Sequence, residues 1–376
     1  MKLIQLKYSD NNFQNIYGDV DNINPNLYLC FSNKKLIADK EVYSKLLDLS
    51  KDAVIVSCST SGEINNKSIV DNSIVITGIE FEKSSIKVNK INVRDFKDSY
   101  DAGKSLATSF DTRDLKLLFI ISDGQLVNGG DLVIGLNEII KDIPISGGLA
   151  GDDANFQSTL VGLNDDIDNG NIVGIGFYGN NLQIGVGSKG GWDKFGPLRT
   201  ITKSDKNVLF EIDGENALDL YKKYLGDYAE QLPGAALLFP LAIIEENGNE
   251  LVRTILSIDN EAKSMTFAGN VPVGAKARLM KSNLDDLVEA AADAASLSNK
   301  ILQNENESLS ILISCVGRKL IFGYRIEEEI ESAREILGDK TLITGFYSYG
   351  EIAPFSTFMK CELHNQTMTI TTISEN

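Results

Sequence analysis

An internal repeat limits the folds open to this chain more than any other feature of its sequence. Residues 115–124 (LKLLFIISDG) resemble residues 309–318 (LSILISCVGR), and residues 145–156 (ISGGLAGDDANF) resemble residues 343–355 (ITGFYSYGEIAPF). Both pairs read as apolar strands that run into loops, and helical patterns precede and follow them in the same order. We therefore predict a tandem duplication whose junction lies near residues 190–235. Its period of about two hundred residues is too long for a solenoid, whose repeats span roughly 20 to 50 residues.

Short apolar runs alternate with amphipathic stretches throughout the chain. Runs such as 117–121 and 311–313 are typical of buried strands. The alternation predicts an α/β fold (mixed α+β), in which two pseudo-repeated units have mixed sheets covered by helices. The paired runs 74–81/86–93 and 172–177/182–186 predict two antiparallel hairpins. Apolar residues recur with helical spacing in residues 132–140, 217–225, 284–302 and 326–337.

The formal net charge of −17 over 376 residues indicates which classes of binding partner are disfavoured. Because an acidic surface repels nucleic-acid phosphates and anionic lipid, we expect neither nucleic acid nor a membrane as a partner. The four cysteines are scattered and there is one histidine, so we expect no disulfide framework, no metal site and no cofactor. Residues 1–20 lack the pattern of a signal peptide, and no apolar run is long enough to span a bilayer. A cytoplasmic protein is therefore expected.

Three loops share a glycine followed by an acid, namely Gly62-Glu63, Gly151-Asp152 and Gly350-Glu351. Glycine permits a positive φ and a tight turn after a strand. Exposed backbone N–H groups and neighbouring hydroxyls bind a carboxylate, and the acids bind an ammonium group. In a duplicated chain such loops can face each other across a cleft, which predicts a site for a zwitterion such as an amino acid. The alternative is that these loops are only structural turns at strand ends.

Other candidate groups lie in or near these loops. Arg318 is a candidate ligand for a carboxylate, because guanidinium pairs with carboxylates bidentately, although a surface salt bridge explains it equally well. Tyr347 and Tyr349 supply hydroxyls in the loop FYSYGEI. The glycines of residues 147–151 lack the Lys-Ser/Thr of a phosphate-binding loop, so nucleotide binding is disfavoured.

Two further functions remain open from the residues alone. A hydrolase or acyl-transfer enzyme would use a nucleophile among Ser57 to Ser61, with the single histidine His364 as its base, and would require both within hydrogen-bond reach. A ligand-free interaction scaffold would show a large exposed apolar patch and no well-formed cavity near the loops. A catalytic serine does not explain three loops of one type, so we predict a binding protein and not an enzyme.

Nine motifs follow each other along the chain: SCSTSGEI (57–64), ISGGLAGDDANF (145–156), GWDKFGP (191–197), EIDGENALDLYKKYLG (211–226), LVRTILSI (251–258), VPVGAKARLMKS (271–282), LISCVGR (312–318), TGFYSYGEIAPF (344–355) and LHNQTMTIT (363–371). Taken together and in this order, they resemble the FIST family. The resemblance covers roughly residues 27–372.

This resemblance implies a domain division and a function. It implies an N-terminal strand/turn segment at 1–26, a FIST N-terminal unit at 27–215 and a FIST C-terminal unit at 216–372. It also implies a bacterial, intracellular sensory protein that binds a small ligand such as an amino acid. Because no output domain is recognisable, the signal would pass to a separate protein such as a kinase or a cyclic-nucleotide enzyme. The motif positions that the resemblance marks for the ligand are Ser59, Thr60, Gly62, Glu63, Gly147, Gly148, Gly151, Asp152, Gly350, Glu351 and Asn365.

Overall fold

The computed structural model describes residues 1–49, 52–232, 234–244, 248, 250–300, 307–354 and 360–376. Helices and mixed sheets alternate along the chain, so the predicted α/β (mixed α+β) class is confirmed. The predicted helical segment 284–302 ends at Asn299, and Leu302 lies outside the described residues, as does Phe355 of the repeat.

The chain forms three central units, named A, B and C, and one inserted sheet. Unit A consists of β1 (Lys2–Ser9), β2 (Asn12–Tyr17), β3 (Leu27–Ser32), α1 (Lys34–Ile37), α2 (Lys40–Leu49), β4 (Val54–Ser59), β5 (Glu63–Asn65), β6 (Ser68–Val70) and β7 (Ile74–Glu80). Unit B consists of β8 (Ser85–Asn92), α3 (Ser99–Thr108), β9 (Leu115–Ser122), α4 (Gly129–Ile139), β10 (Ile145–Leu149), β11 (Val161–Leu163), β12 (Asp166–Asp168) and β13 (Asn171–Tyr178).

Unit C begins with one strand, is interrupted by the inserted sheet and then continues to the C-terminus. Its first strand is β14 (Leu182–Lys189). The inserted sheet has β15 (Asp193–Asp205), β16 (Val208–Ile212), β17 (Glu215–Asn216), α5 (Ala217–Leu225), β18 (Leu241–Ile244), β19 (Glu250–Arg253), β20 (Ile255–Asp259), β21 (Ser264–Phe267) and β22 (Lys276–Lys281). Unit C resumes with α6 (Leu284–Asn299), β23 (Ser308–Cys315), α7 (Val316–Phe322), α8 (Glu327–Leu337), β24 (Thr341–Ser348), β25 (Gly350–Pro354), β26 (Cys361–His364) and β27 (Met368–Glu375).

The three units share one strand order. The orders are β1-β7-β3-β4 in unit A, β8-β13-β9-β10 in unit B and β14-β27-β23-β24 in unit C. In each, the second and third strands pair in parallel and the last strand returns antiparallel between the first and second. Units B and C are the two repeats that the sequence predicts, and unit A is a third copy of the same topology.

A hairpin exchange joins the three units in a cycle. After its third strand, each unit sends a hairpin to the neighbouring sheet: β5–β6 extends unit C, β11–β12 extends unit A and β25–β26 extends unit B. The predicted hairpins 74–81/86–93 and 172–177/182–186 are wrong, because β7 and β13 pair within their own units and β14 pairs with β27. The two strands of each predicted hairpin are neighbours in the chain but belong to different sheets.

The inner faces of the three central sheets enclose one apolar core. Phe31 of unit A, Phe119 of unit B and Phe346 of unit C are all fully buried in it, and the rings of Phe31 and Phe346 lie 4.8 Å apart. Helices α3 and α4 cover the outer face of unit B, and α6 and α8 cover that of unit C. Because the core is common to all three units, we expect them to fold as one body.

The inserted sheet has eight antiparallel strands and its own core around α5. It leaves unit C after β14 and returns to it at α6. The predicted duplication junction near 190–235 is therefore wrong, since unit B ends at Tyr178 and unit C begins at Leu182. Strands from both sides of residue 215 pair in this sheet.

Glycines in the third strands of units B and C leave no room for a side chain. A Cβ on Gly147 (φ 143) would lie 1.9 Å from the Ile120 carbonyl oxygen, and one on Gly345 (φ 157) would lie 1.8 Å from that of Leu312. We expect Gly147→Ala to lower the free energy of unfolding in urea by on the order of 3 kcal/mol. Gly226→Ala is the control for positive φ alone.

At Gly226 (φ 56), no described atom lies within 4 Å of the position of a Cβ. This change is expected to cost about 1 kcal/mol, since it adds backbone strain without a clash. Equal losses of stability in the two variants would show that the close approach at Gly147 is unimportant.

Candidate functional site

The three Gly-acid loops lie where the chain crosses from one central sheet to the next, and they contact each other. The Ser61 N–H donates to the Tyr347 carbonyl at 2.9 Å, and the Tyr347 N–H donates to the Gly62 carbonyl at 2.9 Å. The Gly151 N–H donates to the Ser59 carbonyl at 2.9 Å. The structure therefore brings the three loops together.

The acids of these loops are buried and accept hydrogen bonds from other groups of the chain. Glu63 accepts from the Thr60 hydroxyl at 2.5 Å. Glu351 accepts from the Ser348 hydroxyl at 2.7 Å and from the Thr367 N–H and hydroxyl at 3.1 and 2.9 Å. Asp152 accepts from the Ser158 N–H at 3.3 Å. Each acid thus stabilises its loop, which favours the structural alternative that the sequence left open, while the Glu63 Oε2 is buried without a partner among the described residues.

Burial also weakens these acids as partners for a cation. It raises the pKa of Glu63 and of Glu351 to about 8, although hydrogen bonds from Thr60 and Ser348 act in the opposite direction. A carboxyl group that is largely protonated at neutral pH attracts an ammonium group weakly. The predicted pairing of Glu351 with a ligand ammonium is therefore not favoured by the geometry.

The glycines of these loops are required for different reasons, either a positive φ or close contact with a neighbouring segment. Gly62 has φ 132, as the sequence predicts, whereas Gly151 and Gly350 are not in the positive-φ region. A Cβ on Gly151 would lie 2.4 Å from the Ser61 hydroxyl, so close approach of two loops explains this glycine. Gly148 similarly faces the Ile313 side chain, 2.7 Å from the position of a Cβ.

Arg318 and Tyr347 belong to a buried ion-pair network instead of a ligand site. The Arg318 guanidinium donates to Glu329 at 3.0 and 2.9 Å and to the carbonyls of Gly190 and Leu287. The Tyr347 hydroxyl donates to the same carboxylate at 2.6 Å. The carboxylate that Arg318 binds is therefore that of Glu329, which corrects its predicted role in ligand binding.

A cavity of about 160 Å³ opens where the inserted sheet faces units B and C. Tyr349 is the member of the predicted set that lines it, and its ring stacks on Phe156 with centroids 4.6 Å apart and planes at 19°. The Tyr349 hydroxyl accepts from the Phe156 N–H at 3.0 Å. The full lining is Phe156, Gly234, Leu237, Thr254, Ile255, Leu256, Ala268, Cys315, Val316, Gly317, Leu320 and Tyr349.

The turn between β26 and β27 backs this cavity and carries unpaired amides. Gln366 donates to the Leu237 carbonyl at 3.4 Å, and its amide would meet a Cβ on Gly317. Within the described residues, the Gln366 Oε1 and both amide atoms of Asn365 are buried without a hydrogen-bond partner. The Thr254 hydroxyl in the cavity wall is likewise buried and unpaired in the part of the chain that the structure covers. Such groups are costly unless a ligand or water satisfies them.

Sequence reasoning chose Asn365 but missed Gln366 and Thr254. Both lie inside motifs of the family resemblance, LHNQTMTIT and LVRTILSI. Phe156 also closes a quoted motif. The motifs thus pointed to the right segments, but which of their side chains stay unpaired depends on the packing around them.

A second, larger cavity of about 690 Å³ lies beside α4 and β26. It is lined by charged residues such as Glu138, Lys141 and Lys360, and it contains none of the predicted site residues. The smaller cavity is therefore the candidate site.

Two kinds of feature are absent from the described residues. No group of three or more His, Cys, Asp or Glu side chains there has the arrangement of a metal site. None of the helices described is long and apolar enough to cross a membrane.

Comparisons with known proteins identify the family. The profile described as FIST N domain matches residues 26–215, and that described as FIST C domain matches residues 217–354. An uncharacterized protein of Methanocaldococcus jannaschii is 22% identical over 295 residues, which are 71% of this chain and 55% of the relative. The chain thus spans about half the length of this curated relative. The two matches cover nearly the whole chain, which therefore belongs to the FIST family of signal-transduction sensory proteins.

Proposed function

We propose that this chain senses a small molecule that binds in the 160 Å³ cavity between the inserted sheet and units B and C. The observation that carries the proposal is the buried, unpaired Thr254 hydroxyl in the cavity wall, beside the unpaired Gln366 Oε1, which lies behind that wall against Gly317. Ligand sites occur preferentially at boundaries between structural units and combine apolar walls with a few polar groups. The family's sensory role supports the same reading.

Helix α7 links the cavity to the crossing loops and to the surface. Val316, Gly317 and Leu320 line the cavity, while Lys319 of the same helix donates to the Ser61 carbonyl at 2.9 Å and to Asp71 at 2.7 Å. Tyr324, just beyond the helix, is 96% exposed. A ligand that favours one position of α7 would change the contacts of Lys319 with Ser61 and Asp71. A partner protein could recognise this change at the surface.

Polar bridges also hold the inserted sheet on the central units. The Asn270 amide donates to Asp131 of α4 at 3.1 Å, and Arg253 donates to the Leu363 carbonyl at 2.7 Å. A ligand between the two bodies would add contacts to both and so favour one arrangement of them. The receiving protein, for which the sequence predicts a kinase or a cyclic-nucleotide enzyme, and the cytoplasmic location remain predictions.

We propose further that the chain is not an enzyme. The hydroxyls of Ser59 and Ser61 donate to the backbone carbonyls of Gly151 and Asp153. Burial raises the pKa of Cys58 well above its ordinary value and lowers that of His364 to about 4, and the His364 ring bonds to the Ala353 carbonyl. A thiol and an imidazole held in these states are poor as nucleophile and base.

A thermal-shift screen tests the proposal. Amino acids, small acids, alcohols and amides are offered to the wild type, and a saturable rise in Tm marks a hit. Ala268→Leu fills the cavity and is expected to lower the affinity for the hit at least about tenfold, since the new side chain occupies the ligand's space. Ala262→Leu makes the same change at an exposed position in the turn between β20 and β21 and should leave binding unchanged.

Two results would contradict the proposal. The first is the absence of any hit across the four classes of compound. The second is a hit whose affinity falls equally in Ala268→Leu and Ala262→Leu, or in neither, because the ligand would then bind elsewhere.

A further inference from the structure

We infer that the ligand of this cavity is a neutral, mainly apolar molecule about the size of one aromatic ring, with a single hydroxyl or carboxamide group. This inference rests on the proposed function and replaces the amino-acid-like ligand that the sequence predicts. Four properties of the cavity lead to it: its volume, the charge of its walls, its aromatic face and its unpaired polar atoms.

The volume sets the size of the ligand. The cavity holds about 160 Å³. An apolar protein cavity of about 150 Å³ accommodates benzene. One ring with a short substituent therefore fills the space, whereas a nucleotide or a peptide does not fit.

The described walls of the cavity have no charged side chain that could pair with a charged ligand. Among the described residues that line the cavity, none has a charged side chain, and most are apolar or aromatic. The charged neighbours in sequence are turned to other partners. Arg318 pairs with Glu329, and Arg253 donates to the carbonyls of Asn270 and Leu363. An amino-acid zwitterion would bring two charges into this space without partners, which is strongly unfavourable.

The aromatic pair on one wall favours a planar ligand. Phe156 and Tyr349 are stacked, and the hydrogen bond from the Phe156 N–H to the Tyr349 hydroxyl fixes their arrangement. Phe156, Leu256 and Leu320 remain partly exposed at the rim, with 39%, 44% and 46% of their surface accessible. Burial of this apolar rim against a ring would contribute to affinity.

The unpaired atoms define the polar group of the ligand. Gln366 does not line the cavity but packs against Gly317 of its wall; its Nε2 donates to the Leu237 carbonyl, so the Oε1 is the free end of this amide and requires a donor. The Thr254 hydroxyl can both donate and accept. A hydroxyl or carboxamide satisfies both groups because each can donate and accept. A hydrocarbon would leave both unpaired, and a carboxylate would place a charge opposite the amide oxygen.

The test compares analogues that share one ring, by ligand-observed NMR titration of the full chain. Benzyl alcohol and benzamide are expected to bind saturably. Benzoate, benzylamine and phenylglycine are expected to bind at least about tenfold more weakly, because each brings an uncompensated charge into the cavity. Ala268→Leu should abolish the binding of benzyl alcohol, and this result locates it in the cavity.

Two variants test the hydrogen bonds. Thr254→Val and Gln366→Met keep the shape of the side chains and remove their polar atoms. At least one is expected to lower the affinity for benzyl alcohol about threefold to tenfold while leaving that for toluene unchanged. Thr112→Val, an exposed threonine before β9, is the matched control and should change neither.

The outcomes separate the inference from the proposed function. If a charged analogue or an amino acid binds as tightly as benzyl alcohol, or binds when the neutral probes do not, and Ala268→Leu weakens it, the ligand class is overturned and the sensor proposal stands. If neither Thr254→Val nor Gln366→Met affects benzyl alcohol selectively, the assigned hydrogen bonds are overturned. If neither these probes nor the broad screen gives a ligand, the proposed function itself fails.

Discussion

Replacement of Arg318 with methionine is expected to lower the free energy of unfolding by about 3 to 5 kcal/mol, because it leaves the Glu329 carboxylate buried without its cation. Both side chains are fully buried, and the guanidinium lies 2.9 Å from the carboxylate. Methionine retains most of the apolar volume of the arginine stem, so the loss reports mainly on the charge. Urea denaturation followed by circular dichroism measures it.

Arg325, seven residues after Arg318, provides a control for the loss of stability expected in Arg318→Met. Arg325 pairs with Glu328 and Asp285 at 2.6 Å, but these side chains remain partly exposed. Arg325→Met is therefore expected to destabilise the protein far less than Arg318→Met. The double variant Arg318→Met/Glu329→Gln should be more stable than Arg318→Met alone, since the unpaired charge is gone. Equal losses for Arg318→Met and Arg325→Met would show that the buried pair has no special weight.

This pair also bears on signalling, because Arg318 lies on α7 between the cavity-lining residues Gly317 and Leu320. The network of Arg318, Glu329, Tyr347 and Ser314 fixes α7 to α8, β23 and β24. Loss of the pair would loosen the helix that we propose to transmit ligand binding. In a folded Arg318→Met variant, we therefore expect weaker ligand binding even though the side chain is outside the cavity.

The fold class was predictable from sequence because it depends on local patterns. The buried runs 117–121 and 311–313 became β9 and β23, and the helical spacing of residues 326–337 became α8, which ends at Gly338 as a C-cap. Periodicity of apolar residues is set by which faces are buried, and it is visible without knowledge of the partners.

The third unit and the strand pairing were not predictable in the same way. β5 is three residues long and pairs with β24, almost three hundred positions away in the chain. Unit A also has β2 where unit B has α3, so the order of elements that revealed the repeat is altered. In the sequence, the third unit was visible only as the Gly62-Glu63 pair. This pair resembles Gly350-Glu351 because the chain makes a similar turn where it crosses between sheets in units A and C.

The candidate site was the part of the structure that was hardest to predict from the sequence. Sequence reasoning found the three loops and their acids, but Glu63, Asp152 and Glu351 stabilise their loops. Whether a carboxylate faces a ligand or its own loop depends on packing, as does the unpaired state of Gln366. Tyr349 was chosen for its hydroxyl, yet its stacked ring is what shapes the cavity.

The pH dependence of stability provides the second large expected effect, and it centres on Glu351. Burial raises the pKa of this carboxyl from its ordinary value of 4.5 to about 8. Between these values the folded state holds a proton on Glu351 that the unfolded state has released, so the contribution of Glu351 to stability is largest below pH 4.5 and is lost as the pH rises to 8. A shift of this size corresponds to at most about 5 kcal/mol.

Glu351→Gln is therefore expected to be about as stable as the wild type near pH 4.5 and more stable by up to about 5 kcal/mol near pH 8. The glutamine amide can still accept from Thr367 and can donate to Ser348, whose hydroxyl is free to rotate. Glu331→Gln, the same change on the exposed face of α8, is the matched control for the loss of a carboxyl group. Urea denaturation at intervals between pH 4.5 and 8 measures the slopes. A Glu351→Gln slope equal to that of the wild type would show that Glu351 is ionised in the folded protein. The slope of the wild type alone does not decide this, because the lowered pKa of His364 adds stability as the pH rises through the same range. With an ionised Glu351, the Gly350-Glu351 loop would present a charge at the centre of the three units, and an ammonium ligand at that loop would again be a reasonable expectation.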